Sequence, residues 1–210
     1  MQKQNTHSAY RKELKRRILH TSMQEFKQKG IRSVRMDDIA NSLGISKRTL
    51  YEIYANKEEL LLAGIIEEEN IKEKEALVFI SDDSYTVMDL IIKFYHLKIE
   101  ELTHTNPLFY SELHKYPRII KFINQRHHTL DKRNMTFIER GIREGYFSPQ
   151  FNYDIIFQII NGATTVMMTE SFFKGYDVQT IFKNVISFFI RGFCTDKGIR
   201  EIDSLLSASP

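Results

Sequence analysis

Cysteine is nearly absent from this sequence: 210 residues hold one, Cys194. A disulfide framework within the chain is thereby excluded, and a lone thiol of this kind reads as a small buried hydrophobe. Glycine and proline are scarce, 9 and 4 residues, and no stretch is rich in glycine and serine. That scarcity disfavours long loops and favours helices. No run of about 18 apolar residues occurs, so no membrane span is expected. The opening residues, MQKQNTHSAYRKELKRR, are polar and lack the apolar core of a secretory signal. A cytoplasmic protein is expected. Alternating strand patterns and internal repeats are missing too, and the expected fold class is all-α. There is no glycine-rich phosphate loop, no paired metal motif and no Ser or Cys nucleophile motif. Neither an enzyme nor a cofactor is expected.

What is present is an ordinary globular composition, 42% hydrophobic and 27% charged, with the charge unevenly divided. Residues 1–57 carry 13 Lys and Arg against 5 Asp and Glu, a net of +8; the remainder carries 17 against 22, a net of −5. A basic head on an acidic body points to a polyanionic partner for the head alone. The division into a head of residues 1–57 and a body of 58–210 follows from it.

Within the head, Leu14, Ile18, Leu19, Met23 and Phe26 recur at helical spacing, which predicts a helix from about Ser8 to Lys29, stopped by Gly30. A short helix is expected from Met36 to Leu43. Gly44 supplies a turn, and Ser46 caps a third helix from Lys47 to about Tyr54. Asn56 caps a fourth, with Glu58 and Glu59 where the helix dipole favours negative charge. Two short helices joined by a glycine turn are the geometry that lays a recognition helix in the major groove of DNA. Small Ala40 allows a close crossing, and Ile45 and Leu50 pack it. Lys47, Arg48, Thr49 and Tyr51 supply donors for phosphates and base edges.

The span from about Tyr10 to Leu62 resembles the TetR family of regulators. The likeness rests on Gly30, DIA at Asp38 to Ala40, LGIS at Leu43 to Ser46, TLY at Thr49 to Tyr51 and NKEELL at Asn56 to Leu61. It implies that Ser46, Lys47, Thr49 and Tyr51 contact DNA. Tyr54 packs the domain and borders phosphate, and the Lys57 ammonium meets a phosphate at the start of the fourth helix. Two positions depart from the pattern. Arg48 stands where glycine is common and reaches a guanine or a phosphate. Arg35 replaces a capping Thr or Ser, leaving Asp37 or Ser33 to compensate; Arg35 and Met36 join the expected DNA-binding set.

The body also reads as helix: about Tyr85 to Thr103, a short piece near Leu108 to His114, Pro117 through Glu144, Tyr153 to Phe173, Val178 to Cys194, and a short or frayed tail. The resemblance implies that it dimerises and binds a small molecule. Ile156, Ile160, Ala163 and Met167, with Val185, Phe189 and Phe193, are the expected dimer contacts across a four-helix interface. Phe94, Tyr95, Phe109, Tyr110, Tyr116, Phe122, Phe137 and Met168 are candidates for the lining of an effector pocket. His127, His128 and Asp131, without a neighbouring cysteine, read as surface groups, and no metal is expected. The implied function is a repressor that binds a palindromic operator in double-stranded DNA as a homodimer. A small-molecule effector releases it. The alternative is a helical protein that binds DNA without sequence preference and takes no ligand.

Overall fold

The helical periodicities fold into α-helices throughout the computed structural model, which describes residues 2–82, 84–129, 131–167 and 176–207. The side chains described are those of these residues except 2–8, 127–129, 131–134, 161, 164–167 and 205–207. Among the described residues there are eleven helices, and the sole β-type pairing is an isolated bridge between Phe147 and Cys194.

The head opens with α1 (Gln2–Lys29), which begins earlier than its apolar stripe required, and continues through α2 (Met36–Leu43) and α3 (Lys47–Ile53). Gly44, between α2 and α3, has φ +65°, a left-handed conformation that side chains with a Cβ resist. The link to the body is α4 (Lys57–Ile80), capped by the Asn56 carboxamide, which accepts from the Glu59 N–H at 2.9 Å. Gly64 on α4 lies against Met23 of α1 so closely that a Cβ there would stand 2.5 Å from the Met23 sulfur. That contact lets the two long helices pack tightly.

The body continues with α5 (Val87–Thr103), α6 (Pro107–Leu113) and α7 (Pro117–Thr129). Thr86 and Asp89 cap α5 reciprocally: the Thr86 hydroxyl accepts from the Asp89 N–H and the Asp89 carboxylate from the Thr86 N–H. The chain is helical on both sides of residue 130, α7 before it and α8 (Asp131–Arg143) after it. Last come α9 (Tyr153–Met167), α10 (Val178–Phe193) and α11 (Asp196–Ser207). The tail is therefore a helix.

Two apolar cores result. The first joins Ile18, Phe26, Ile39 and Leu50 of the head, with Leu60 of α4, to Phe109, Leu113 and Ile119 of α6 and α7. The second gathers Val87, Met88, Ile138, Phe147, Tyr153 and Phe193. Phe147 and Phe193 meet edge to face at 5.2 Å, and the Tyr153 hydroxyl donates to the Ser148 carbonyl at 2.7 Å. No described helix is long and apolar enough to cross a membrane.

Candidate nucleic-acid interface

The angle between α2 and α3 is set from inside. Ile39, Ala40 and Leu50 are fully buried, and Ile45 packs against them. Ser46 starts α3: its hydroxyl accepts from the Thr49 N–H at 3.0 Å and lies 2.8 Å from the Thr49 hydroxyl. One face of α3 is thereby turned to solvent. Arg48 is the extreme case, its side chain 89% exposed, and Tyr51 beside it is also exposed. Both cations on this face already have local partners. Arg48 Nε donates to Glu52 at 2.8 Å, and Lys47 pairs with Asp37 of α2. Pairs this exposed contribute little and break readily when a phosphate or base edge competes.

Three of the expected contact residues have other structural duties. Met36, expected at the DNA face, is only 7% exposed and sits in the head core, because its side chain completes the apolar side of α2. Tyr54 is half-buried against the same core, and burial raises its phenol above the ordinary value. The Lys57 ammonium donates to the Ile31 carbonyl at 2.8 Å and the Val34 carbonyl at 3.0 Å. It ties the α1–α2 turn to the start of α4, and partial burial lowers its pKa.

The missing cap of α2 is supplied neither by Asp37 nor by Ser33. The Ser33 hydroxyl donates back to the Lys29 carbonyl at 2.6 Å, while Asp37 takes Lys47. Asp38 does the work: its carboxylate accepts from the Arg35 N–H at 2.9 Å, half of a capping box. Arg35 is exposed.

The head is fastened to the body at the C-terminal end of α1. The Asn106 N–H donates to the Lys27 carbonyl at 2.7 Å, and its side-chain amide to the Gln28 carbonyl at 3.2 Å. These are carbonyls that a helix end leaves without partners of its own. Glu112 of α6 accepts from the Arg32 N–H at 2.8 Å. The Lys27 ammonium meets Glu68 of α4 at 2.7 Å and Glu101 of α5 at 3.9 Å; Lys72 and Lys98 reach Glu101 at 3.0 and 3.1 Å. Burial opposes ionisation of Glu101, yet Lys98, Lys72 and Lys27 outweigh it and hold the carboxyl down at about 2. Sequence reasoning missed this cluster; its members are far apart in the chain and nothing in their local spacing marks them.

The candidate pocket residues do not converge. Phe109, Tyr110, Tyr116 and Phe122 serve the first core, and Phe137 packs on Phe147 at 6.1 Å in the second. Phe94 is half-buried, and Met168 lies outside the described residues. A cleft is present between α5, α10 and α11, and of the eight candidates Tyr95 alone lines it. The expected dimer residues also divide. Phe193 is 9% exposed and belongs to the second core, against which Ile156 packs, so neither leads an outer face. Ile160, Ala163, Val185 and Phe189 are half-buried, and the Met167 side chain lies outside those described. The exposed positions are one step away: Ile155 and Ile159 at 55% each on α9, and Phe188 at 74% on α10. The side chains of His127, His128 and Asp131 are outside the described set. Among the described residues no group of three or more His, Cys, Asp or Glu could hold a metal ion.

A helix-turn-helix head with an exposed, donor-bearing α3, packed against further helices, defines a DNA-binding transcriptional regulator. The profile of the bacterial regulatory proteins, tetR family, matches residues 18–63. The HTH-type transcriptional repressor KstR2 of Mycobacterium tuberculosis is 25% identical over 158 residues, 71% of this chain and 76% of the repressor. A TetR-family transcriptional regulator from Marinobacter aquaeolei superposes with a TM-score of 0.64 at 19% identity, over 93% of this chain and 98% of its own. A transcriptional regulator from Cytophaga hutchinsonii does so with a TM-score of 0.60 at 20% identity, over 85% and 97%. Residues 18–63 thus match the tetR-family model, and the chain as a whole is similar to transcriptional regulators of that kind.

Proposed function

We infer that this regulator is a homodimeric repressor that reads a palindromic operator and is released by a small-molecule effector bound in the body. The observation that carries the reading is the unequal closure of the molecule. The head core is complete within one chain, whereas Ile155 and Ile159 on α9 and Phe188 on α10 stay exposed. Large apolar side chains left in water are candidates for a contact surface. An α9–α10 pair meeting its own copy closes a four-helix interface and sets two α3 helices about one DNA turn apart, ~34 Å. The division into a head of residues 1–57 and a body of 58–210 belongs to the same reading, as does action in the cytoplasm.

In this reading Arg35, Ser46, Lys47, Arg48, Thr49, Tyr51 and Tyr54 form the DNA face. Lys57 acts mainly by fixing the loop before α2. Release follows if effector binding shifts α4 or α5, because both hold Lys27 of the head through Glu68 and Glu101. Gel shifts on genomic and on random DNA at two salt concentrations, combined with sedimentation, test the proposal. The expected result is a dimer whose genomic complex outlasts the random one as salt rises. A monomer that binds both DNAs alike would establish the non-specific alternative.

A further inference from the structure

We propose that the cleft between α5, α10 and α11 binds a small amphipathic anion: a short apolar chain ending in a carboxylate. The proposal rests on the effector reading above and names the ligand class and the site. The cleft spans about 400 Å³ of space between the helices, part of it open to solvent at the mouth. Its floor is apolar: Ile91 and Ile92 from α5, Ile186 and Ile190 from α10, and Ile202 from α11. Tyr95 forms a wall and is stacked on Phe182 of α10, ring centres 5.9 Å apart and planes 22° from parallel.

The polar side chains at this cleft include a neutral hydroxyl, Ser187, and two nitrogen bases. Lys183 and His96 line it and are exposed, and no Asp or Glu is among the lining residues. Of the two acids that flank Ile202 on α11, Asp203 is paired with Arg191 and Glu201 is exposed. An ammonium and an imidazole above five isoleucines suit a ligand with a negative head and an apolar tail. They disfavour a cation, which would meet Lys183, and a large polyanion, which the floor could not accommodate.

The position gives binding a consequence. The cleft lies where α5 meets α10, beside the Tyr95–Phe182 stack and the Gln179 side-chain amide donating to the Thr103 hydroxyl at 3.0 Å. A ligand wedged there acts on two elements together. One is α10, which carries exposed Phe188 on the proposed dimer face. The other is α5, whose Glu101 holds Lys27 of the head, about 9 Å along the helix from Tyr95.

The test uses the full-length protein with octanoate, octylamine and octanol as probes of equal chain length, by isothermal titration and by gel shift on a genomic fragment that the protein selects. Octanoate is expected to bind saturably and more tightly than either analogue. Lys183→Gln should weaken it roughly tenfold, as expected for loss of a charge-assisted contact, and Lys183→Arg should retain most of the affinity. Lys183 is exposed, so folding is not at stake, and matched melting curves without ligand confirm this. Equal binding of octylamine, no binding of octanoate, or octanoate affinity unchanged in Lys183→Gln would overturn the site. Octanoate binding that needs Lys183 but leaves the DNA complex intact would uphold the site and overturn the effector reading instead.

Discussion

The head and the last helices of the body use similar apolar residues to different ends. In the head, Ile18, Phe26, Ile39 and Leu50 are completely buried. On α9 and α10, Ile155, Ile159 and Phe188 remain more than half exposed. At about 25 cal/mol per Å², apolar surface left in water is stabilisation not yet taken. In the proposed dimer the head is finished by its own chain, and the body by its partner. Stability of the head should therefore respond to core and loop substitutions within one molecule, and that of the α9–α10 face to protein concentration.

The largest test of this contrast is on the open face. Phe188→Asp together with Ile159→Asp should convert a dimer to a monomer by sedimentation. Operator affinity should fall by 100-fold or more, since the two heads then bind independently. Phe193→Ala, a buried neighbour on the same helix, should instead lower the melting temperature by loss of about 3 kcal/mol. If the double Asp variant stays dimeric, the interface lies elsewhere.

The next concerns the joint between the two regions. Because Glu101 is held at about 2 when folded, against an ordinary carboxyl value near 4.3, its contribution is complete above the unfolded value. It is lost as pH falls from there through about 2. Urea unfolding should therefore show Glu101→Gln less stable than the parent at pH 7 by about 2–3 kcal/mol, a gap that narrows steadily toward pH 2–3. A pH-independent gap would mean that the three lysines do not act on its charge.

Within the head, Lys57→Met should cost about 1–3 kcal/mol in unfolding, since it leaves the Ile31 and Val34 carbonyls without their charged donor. DNA binding should weaken for all sequences alike. Asp38→Ala removes the reciprocal cap of α2 and should cost about 1 kcal/mol. The smallest effect on stability belongs to Arg48→Ala, whose ion pair with Glu52 is exposed. Its melting curve should match the parent's, while discrimination at one operator base pair falls by about 1–3 kcal/mol if it reads a base. An equal loss on every sequence would make it a phosphate contact.

Much of the head was legible in the sequence, because its signals are local. Gly44 ends α2, Ser46 caps α3 and Asn56 caps α4 within three or four residues of the groups they serve. Where local reasoning failed there, it failed on direction. Met36 opens α2 beside Arg35, yet one side chain turns inward and the other outward. The α2 cap went to Asp38 rather than to its neighbour Asp37. In the body the helices were legible but their faces were not. Tyr153 to Phe157 reads YDIIF, so nearly any rotation buries something apolar, and periodicity does not choose between Ile155 and Ile156. Of the aromatic residues expected to line a pocket, Phe109, Tyr110, Tyr116, Phe122 and Phe137 fill two cores instead, since an aromatic ring at helical spacing is the same signal in either place.

The sequence alone thus determined that the chain is helical, that its head is basic, and that a glycine turn and a serine cap present α3, all of which depend on residues close together along the chain. Only the tertiary structure decided that Lys57 secures a loop and that Glu101 gathers three lysines from α1, α4 and α5. It likewise placed the apolar cleft at α5, α10 and α11. Each of these brings together groups from separate helices, and their distances depend on how whole helices pack rather than on how any one of them forms.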